Sequence, residues 1–195
     1  MVNASVTSPD NEILAQFPSP PGSVLKALEL LQVLRRGDAD EMAEYGDLSN
    51  LPRPWNPSTC PGELRAAVWG WCDGVAEWIN HEYAWRPTQM IPLCWPHHAH
   101  IARELPVLAF QRWTAEESTG YEAIDDWHRY ALPMFLERMQ GRLGESACRT
   151  GKHVDWPAEG RIVAYSSAEA VEDRQSVIHR DSHPVVTELR ANRRA

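Results

Sequence analysis

The residues best suited to chemistry in this chain are cysteines and histidines set close together. Cys94, His97, His98 and His100 fall within one stretch, Cys-Trp-Pro-His-His-Ala-His, and Cys148-x4-His153 follows further on. Zinc takes four nitrogen or sulfur ligands in a tetrahedron, and short Cys-to-His spacings let one turn of chain supply two of them. Cys94 with His97 or His98 is one candidate half-site, and Cys148 with His153 is the other. A structural zinc is the only cofactor this pattern points to. The plainer alternative makes both cysteines small buried apolar residues and the histidines surface residues.

The histidines open a second chemistry. A general base needs a nucleophile in reach and a carboxylate to orient it. His128 stands beside Asp125 and Asp126, but on a helix such neighbours meet routinely as surface contacts. The run EAIDD at 122–126 reads as a solvated acidic face. GxSxG, P-loop, HExxH and GxGxxG patterns are absent. No residue is therefore assigned as catalytic or cofactor-binding, and the expectation leans away from an enzyme.

These side chains need a scaffold. The 195 residues are 43% hydrophobic and 24% charged, ordinary for one folded domain. Nine tryptophans are present, and all but Trp156 lie between Trp55 and Trp127. That clustering predicts a core built on large aromatics, with an aromatic binding face as the alternative. The net charge of −8 opposes broad binding to nucleic acid. Arg190, Arg193 and Arg194 form a small basic tail that leaves such binding open. No apolar run approaches the roughly 18 residues of a membrane span. The N-terminus lacks the charged and apolar regions of a signal peptide, which predicts a cytoplasmic chain and reduced cysteines.

Periodicity predicts an all-α fold. It should be a small bundle of four to five helices with irregular Pro-rich connections and flexible termini. Residues 1–22 read as a flexible leader. Residues 23–37 read as an N-terminal helix capped by Ser23 and Gly37. Its Leu25, Leu28 and Leu31 form a stripe suited to docking on a partner, a second copy or the body. Residues 38–60 read as an acidic, Pro-rich linker. The Trp-rich core domain spans 61–165, with helices at 61–83, 97–114 and from 120 to about 143. Pro106 and Pro133 should kink or break two of them. Within 144–165, Gly-Arg-Ile-Val-Ala-Tyr is a candidate strand. Residues 166–195 hold a short helix, with Ser166 and Glu169 at capping-box spacing, and then the basic tail.

From Trp95-Pro-His97 onward the chain resembles a domain family without assigned activity, common in actinobacterial plasmids, integrative elements and phages. Trp95 and His97 match its turn. Leu105, Leu108 and Trp113 match its leucine helix, Trp127 its later tryptophan, and Cys148, Gly151 and His153 its terminal cluster. The resemblance covers 62–156. Pro106, Pro133 and Cys94, which stands where a second Trp belongs, depart from the pattern. The resemblance implies an accessory role for a mobile element, in conjugation, replication or phage growth. The expected function is macromolecular binding without catalysis, through contact with another protein or self-association. A zinc-stabilised nucleic-acid-binding protein is the alternative, and a hydrolase using His97 or His128 is the second.

Overall fold

Each long helix of this protein forms where apolar residues recur at helical spacing. The computed structural model describes residues 14–36, 48–144, 148, 152–154 and 158–182. The chain divides into two units, Met1–Val154 and Asp155–Ala195. The first holds α1 (Gly22–Arg35), α2 (Gly62–Glu82), α3 (Ala99–Glu116), α4 (Glu122–Asp126) and α5 (Leu132–Leu143). The second holds α6 (Glu159–Tyr165) and α7 (Ala168–Ser182). No strand occurs among the described residues, so the all-α expectation stands.

In α2 the expected stripe of Leu64, Val68, Trp71, Val75, Trp78 and Ile79 is buried throughout. Pro61 is the residue before the helix rather than its first turn, and its carbonyl accepts the Arg65 N–H. In α1 the cap is Pro21, not Ser23, because the Pro21 carbonyl already accepts the N–H groups of Val24 and Leu25. Gly37 lies outside the described residues. Val24, Leu28, Leu31 and Leu34 are buried, with Leu25 half-buried against the core. The stripe expected to dock a partner is thus largely used against the protein's own body.

Residues 14–21 depart from the flexible leader. Phe17 is buried, edge-on to Trp78 at 5.0 Å and to Trp71 at 6.3 Å. The Trp71 indole N–H donates to the Pro18 carbonyl at 2.8 Å, and the Trp78 indole to that of Ala15 at 2.9 Å. A buried indole N–H needs an acceptor, and this extended strap supplies two. Within the expected linker, residues 48–60 are also packed: Pro54, Pro57 and Cys60 are buried. The Arg65 guanidinium donates to the carbonyls of Pro57 and Cys60, each at 2.9 Å. Prolines exclude a helix here, but they do not exclude burial.

The aromatic core continues through Trp71–Phe110 at 4.8 Å and Tyr83–Trp127 at 5.6 Å. Arg112 enters it from α3, its guanidinium 5.2 Å from the Phe17 ring, 5.6 Å from Trp78 and 5.7 Å from Trp127. Ring faces attract the cation while Glu116 pairs with it at 3.3 Å.

The prolines behave unequally. α3 runs through Pro106 without a break, and the ring is fully buried, so packing offsets the missing hydrogen bond. Ahead of Pro133 the chain widens into a π-helical turn, Trp127–Ala131. Leu132 N–H there reaches back five residues to the Trp127 carbonyl. This winding moves the carbonyl that a proline ring would strike in an α-helix. α5 ends at Gly144, whose φ of +57° favours glycine.

In the second unit, Gly-Arg-Ile-Val-Ala-Tyr lies in α6, not in a strand. A lone strand has no neighbour to satisfy its backbone, whereas a helix satisfies its own. The hydroxyl of Ser167, not Ser166, accepts the Ala170 N–H at the start of α7. Arg174 covers the Tyr165 ring at 3.8 Å.

Two stability outcomes follow. Phe17→Ala should cost about 3 kcal/mol, as for other core aromatics. Thermal unfolding should then show a Tm lower by about 6–12 °C for a chain of this size, with faster proteolysis at residues 14–21. Gly70 is exposed within α2, and a Cβ there meets nothing within 4 Å. Gly70→Ala should therefore stabilise by about 0.5–1 kcal/mol, and an unchanged or lower denaturation midpoint would contradict that account.

Candidate metal centre

Cys94, His98, Cys148 and His153 converge in the first unit. Their sulfurs and nearest ring nitrogens all lie within 4.8 Å of one another. Cys94 Sγ is 3.3 Å from His98 Nε2, and Cys148 Sγ is 3.9 Å from His153 Nδ1. A tetrahedral zinc with bonds of about 2.3 Å to sulfur and about 2.0–2.1 Å to nitrogen has ligand-to-ligand edges of about 3.4–3.8 Å. The two Cys–His distances lie close to those edges, and the widest separation of 4.8 Å would have to contract by about 1 Å to meet them, so the group could hold a metal ion.

The first pair is set by a short turn. Trp95–His97 form one turn of 3-10 helix, with the Cys94 carbonyl accepting the His97 N–H at 3.0 Å and the Trp95 carbonyl accepting that of His98 at 3.0 Å. Residues four apart across this turn, Cys94 and His98, face each other. Two anchors on α2 hold it. The Trp95 indole is buried and donates to Asp73 at 3.1 Å. The Asn80 side chain donates to the Ile91 carbonyl at 2.9 Å and accepts the Ile91 N–H at 2.7 Å. Neither Asp73 nor Asn80 was singled out by sequence. Their only signal was a polar residue adjoining an apolar stripe, which most helices also show.

The second pair follows the end of α5. Cys148 is buried within the aromatic and aliphatic core, while His153 is exposed. The backbone N–H of Val154 donates to Cys148 Sγ at 3.2 Å. Such a bond orients the sulfur, the role outer contacts serve around metal ligands.

The electrostatics suit a cation. Burial, then the adjoining Cys148 sulfur, pushes the Cys94 thiol up. Burial, then the rings of His100, His153 and His97, holds His98 below the ordinary imidazole range. His98 thus presents a neutral lone pair at neutral pH. A divalent ion between the sulfurs would relieve the cost of bringing two thiolates together.

His97 is not part of the four-residue group. It is exposed, with its ring 4.8 Å from that of His153, because the 3-10 turn ends at it and passes the ligand position to His98. His100 also stays outside. Its Nε2 is buried with no hydrogen-bond partner among the described residues, and burial, then Arg142, lowers its pKa. His128 does not meet an aspartate: its Nε2 contacts the Tyr83 hydroxyl at 3.1 Å, while Asp125 pairs with Arg129 at 2.9 Å. The base-and-carboxylate pair considered from sequence is therefore not assembled. Arg190, Arg193 and Arg194 lie outside the described residues.

A second feature is an open cleft of about 1820 Å³ between α1 and the faces of α3, the π turn and α5. Leu25 and Leu28 line one wall, with the exposed Val107, Tyr130 and Met134 opposite. Cys94, His98, Cys148 and His153 do not line it. Among the described residues no helix is long and apolar enough to cross a membrane. Comparison of the chain with family models, curated proteins and solved structures gives no match, so its chemistry is inferred from its own residues.

Proposed function

We propose that this chain is a zinc-stabilised helical protein that acts by binding another macromolecule. The observation that carries the zinc assignment is the convergence of Cys94, His98, Cys148 and His153. Two sulfurs and two imidazole nitrogens are a donor set that favours zinc over calcium or magnesium, which take oxygen. Four protein ligands complete a tetrahedron and leave no position for a reactive water, so the zinc is structural. It ties the turn before α3 to the segment after α5.

The binding role draws on the exposed apolar side chains of the cleft. It also draws on the resemblance to mobile-element domains. Trp95, Leu105, Leu108, Trp127 and Cys148 of that motif are buried, and His153 joins the metal group. His97 of the motif stays outside that group, and the accessory role for a plasmid or phage is carried by the resemblance alone.

Mass spectrometry of untagged protein should find about one zinc per chain, consistent with a single four-ligand site. Cys148→Ser should lose it, while His97→Ala should keep it. With free zinc at about a hundred times Kd, linkage stabilises by about 2.7 kcal/mol. Chelation should then lower the Tm by about 5–10 °C at this chain length. Zinc-free protein whose stability is unchanged by added zinc would defeat the assignment.

The pH dependence of the metal-free chain has a definite sign. His98 and His100 have folded pKa values below their unfolded values, so the unfolded chain binds more protons. Their contribution to stability is fully present above about pH 6.5, the ordinary histidine value, and is lost as pH falls through the window below it. Denaturation midpoints that rise on acidification from neutral pH would contradict this.

A further inference from the structure

We propose that Cys94 and Cys148 form a dithiol–disulfide couple whose oxidation by a peroxide releases the metal. The release step rests on the zinc reading, whereas the couple itself rests on the geometry of the two sulfurs.

The sulfurs lie within 4.8 Å of one another, on chain segments outside the long helices. A disulfide needs them at about 2.0 Å, so they must close by up to roughly 3 Å. Side-chain rotation with a small shift at Cys94, which lies in a turn just before the 3-10 helix, would cover that distance. An ion between them would hold them apart, and oxidation of Cys94 to a sulfenic acid, a far weaker ligand than a thiolate, would loosen that hold and permit closure.

Their surroundings differ in a way that orders the reaction. Cys94 is half-exposed, beside the exposed His97 and His153. Cys148 is buried and takes the Val154 N–H. A peroxide in solvent therefore reaches Cys94 first. The Cys94 thiolate attacks one peroxide oxygen, the O–O bond breaks, and a sulfenic acid forms as hydroxide leaves and takes a proton to become water. The Cys148 thiolate then attacks the Cys94 sulfur, forming the S–S bond and expelling the second hydroxide, which is also protonated. Two electrons pass from the sulfurs to the peroxide, two protons come from solvent, and two waters result. Only the imidazoles of His98 and His153 would remain to hold an ion, which would leave with its charge unchanged.

The other thiols serve as internal controls. Cys60 and Cys72 are buried, and burial, with Asp73 adding to it, pushes the Cys72 thiol up to about 12. Neither belongs to the metal-binding group. A peroxide in solvent, which cannot reach buried thiols, should pass them by.

The test uses full-length protein of measured metal content, treated with equimolar hydrogen peroxide beside a coloured zinc chelator. The crosslink is then mapped by mass spectrometry of chymotryptic peptides under non-reducing conditions, because a tryptic peptide would hold Cys72 and Cys94 together. The expected result is zinc release in step with one crosslink, joining the peptide of Cys94 to that of Cys148. Reduction with dithiothreitol and added zinc should restore the starting metal content. Oxidation of Cys94 to sulfinic or sulfonic acid without a crosslink would overturn the couple. So would a disulfide involving Cys60 or Cys72, or unchanged thiols under peroxide that oxidises free cysteine. A chain carrying no zinc before peroxide defeats the zinc reading instead, and the crosslink map on that sample still decides the couple. No variant is needed, so a misfolded substitution cannot confuse the outcome.

Discussion

Large indole rings can be buried only if each N–H finds an acceptor, and this requirement shapes the whole first unit. Trp71 and Trp78 reach the carbonyls of Pro18 and Ala15, which draws the strap before α1 across α2. Trp127 reaches the Leu108 carbonyl at 3.2 Å, which joins the π turn to α3. Trp95 reaches Asp73, which seats the turn carrying Cys94 and His98 on α2. Each ring contributes apolar burial, and each N–H selects where the partner segment lies. The same rings accommodate Arg112, whose charge faces three aromatic surfaces.

The Cys/His group that could hold a metal ion extends that logic by other means. Cys94 and His98 sit on a turn made rigid by a buried tryptophan and by Asn80. Cys148 is a core residue, and His153 reaches in from the surface. The site thus grades from a dry interior to solvent across a few ångströms. Burial holds the His98 imidazole below its ordinary range and pushes the Cys94 thiol up, so an ion bound there would offset the cost of ionising the thiol.

Proline works here through position. Pro106, inside α3, is packed into the core and the helix continues past it. Pro133 follows a π turn that exposes His128 and Tyr130 while Trp127 points inward. Pro54 and Pro57 are buried in a segment that has no long helix to offer. A proline removes a donor and fixes one torsion; packing around the ring decides whether the chain bends, widens or carries on.

The sequence by itself determined the all-α class, the apolar stripes of α1 and α2, the tryptophan core, and the residue types able to bind a metal. These are legible because helical periodicity and ligand chemistry are local properties. It did not determine that residues 14–21 and 48–60 pack, since proline-rich composition describes only which hydrogen bonds are missing. It did not separate His98 from His97, because one residue along a 3-10 turn changes the direction of a side chain by about 120°. Nor did it show that Gly-Arg-Ile-Val-Ala-Tyr coils as a helix, since a β-prone run becomes a strand only beside another strand. The meeting of Cys94 and His98 with Cys148 and His153 was decided by the tertiary structure alone. It depends on α2, α3 and α5 packing so that two distant segments end at the same place, and no local spacing encodes that.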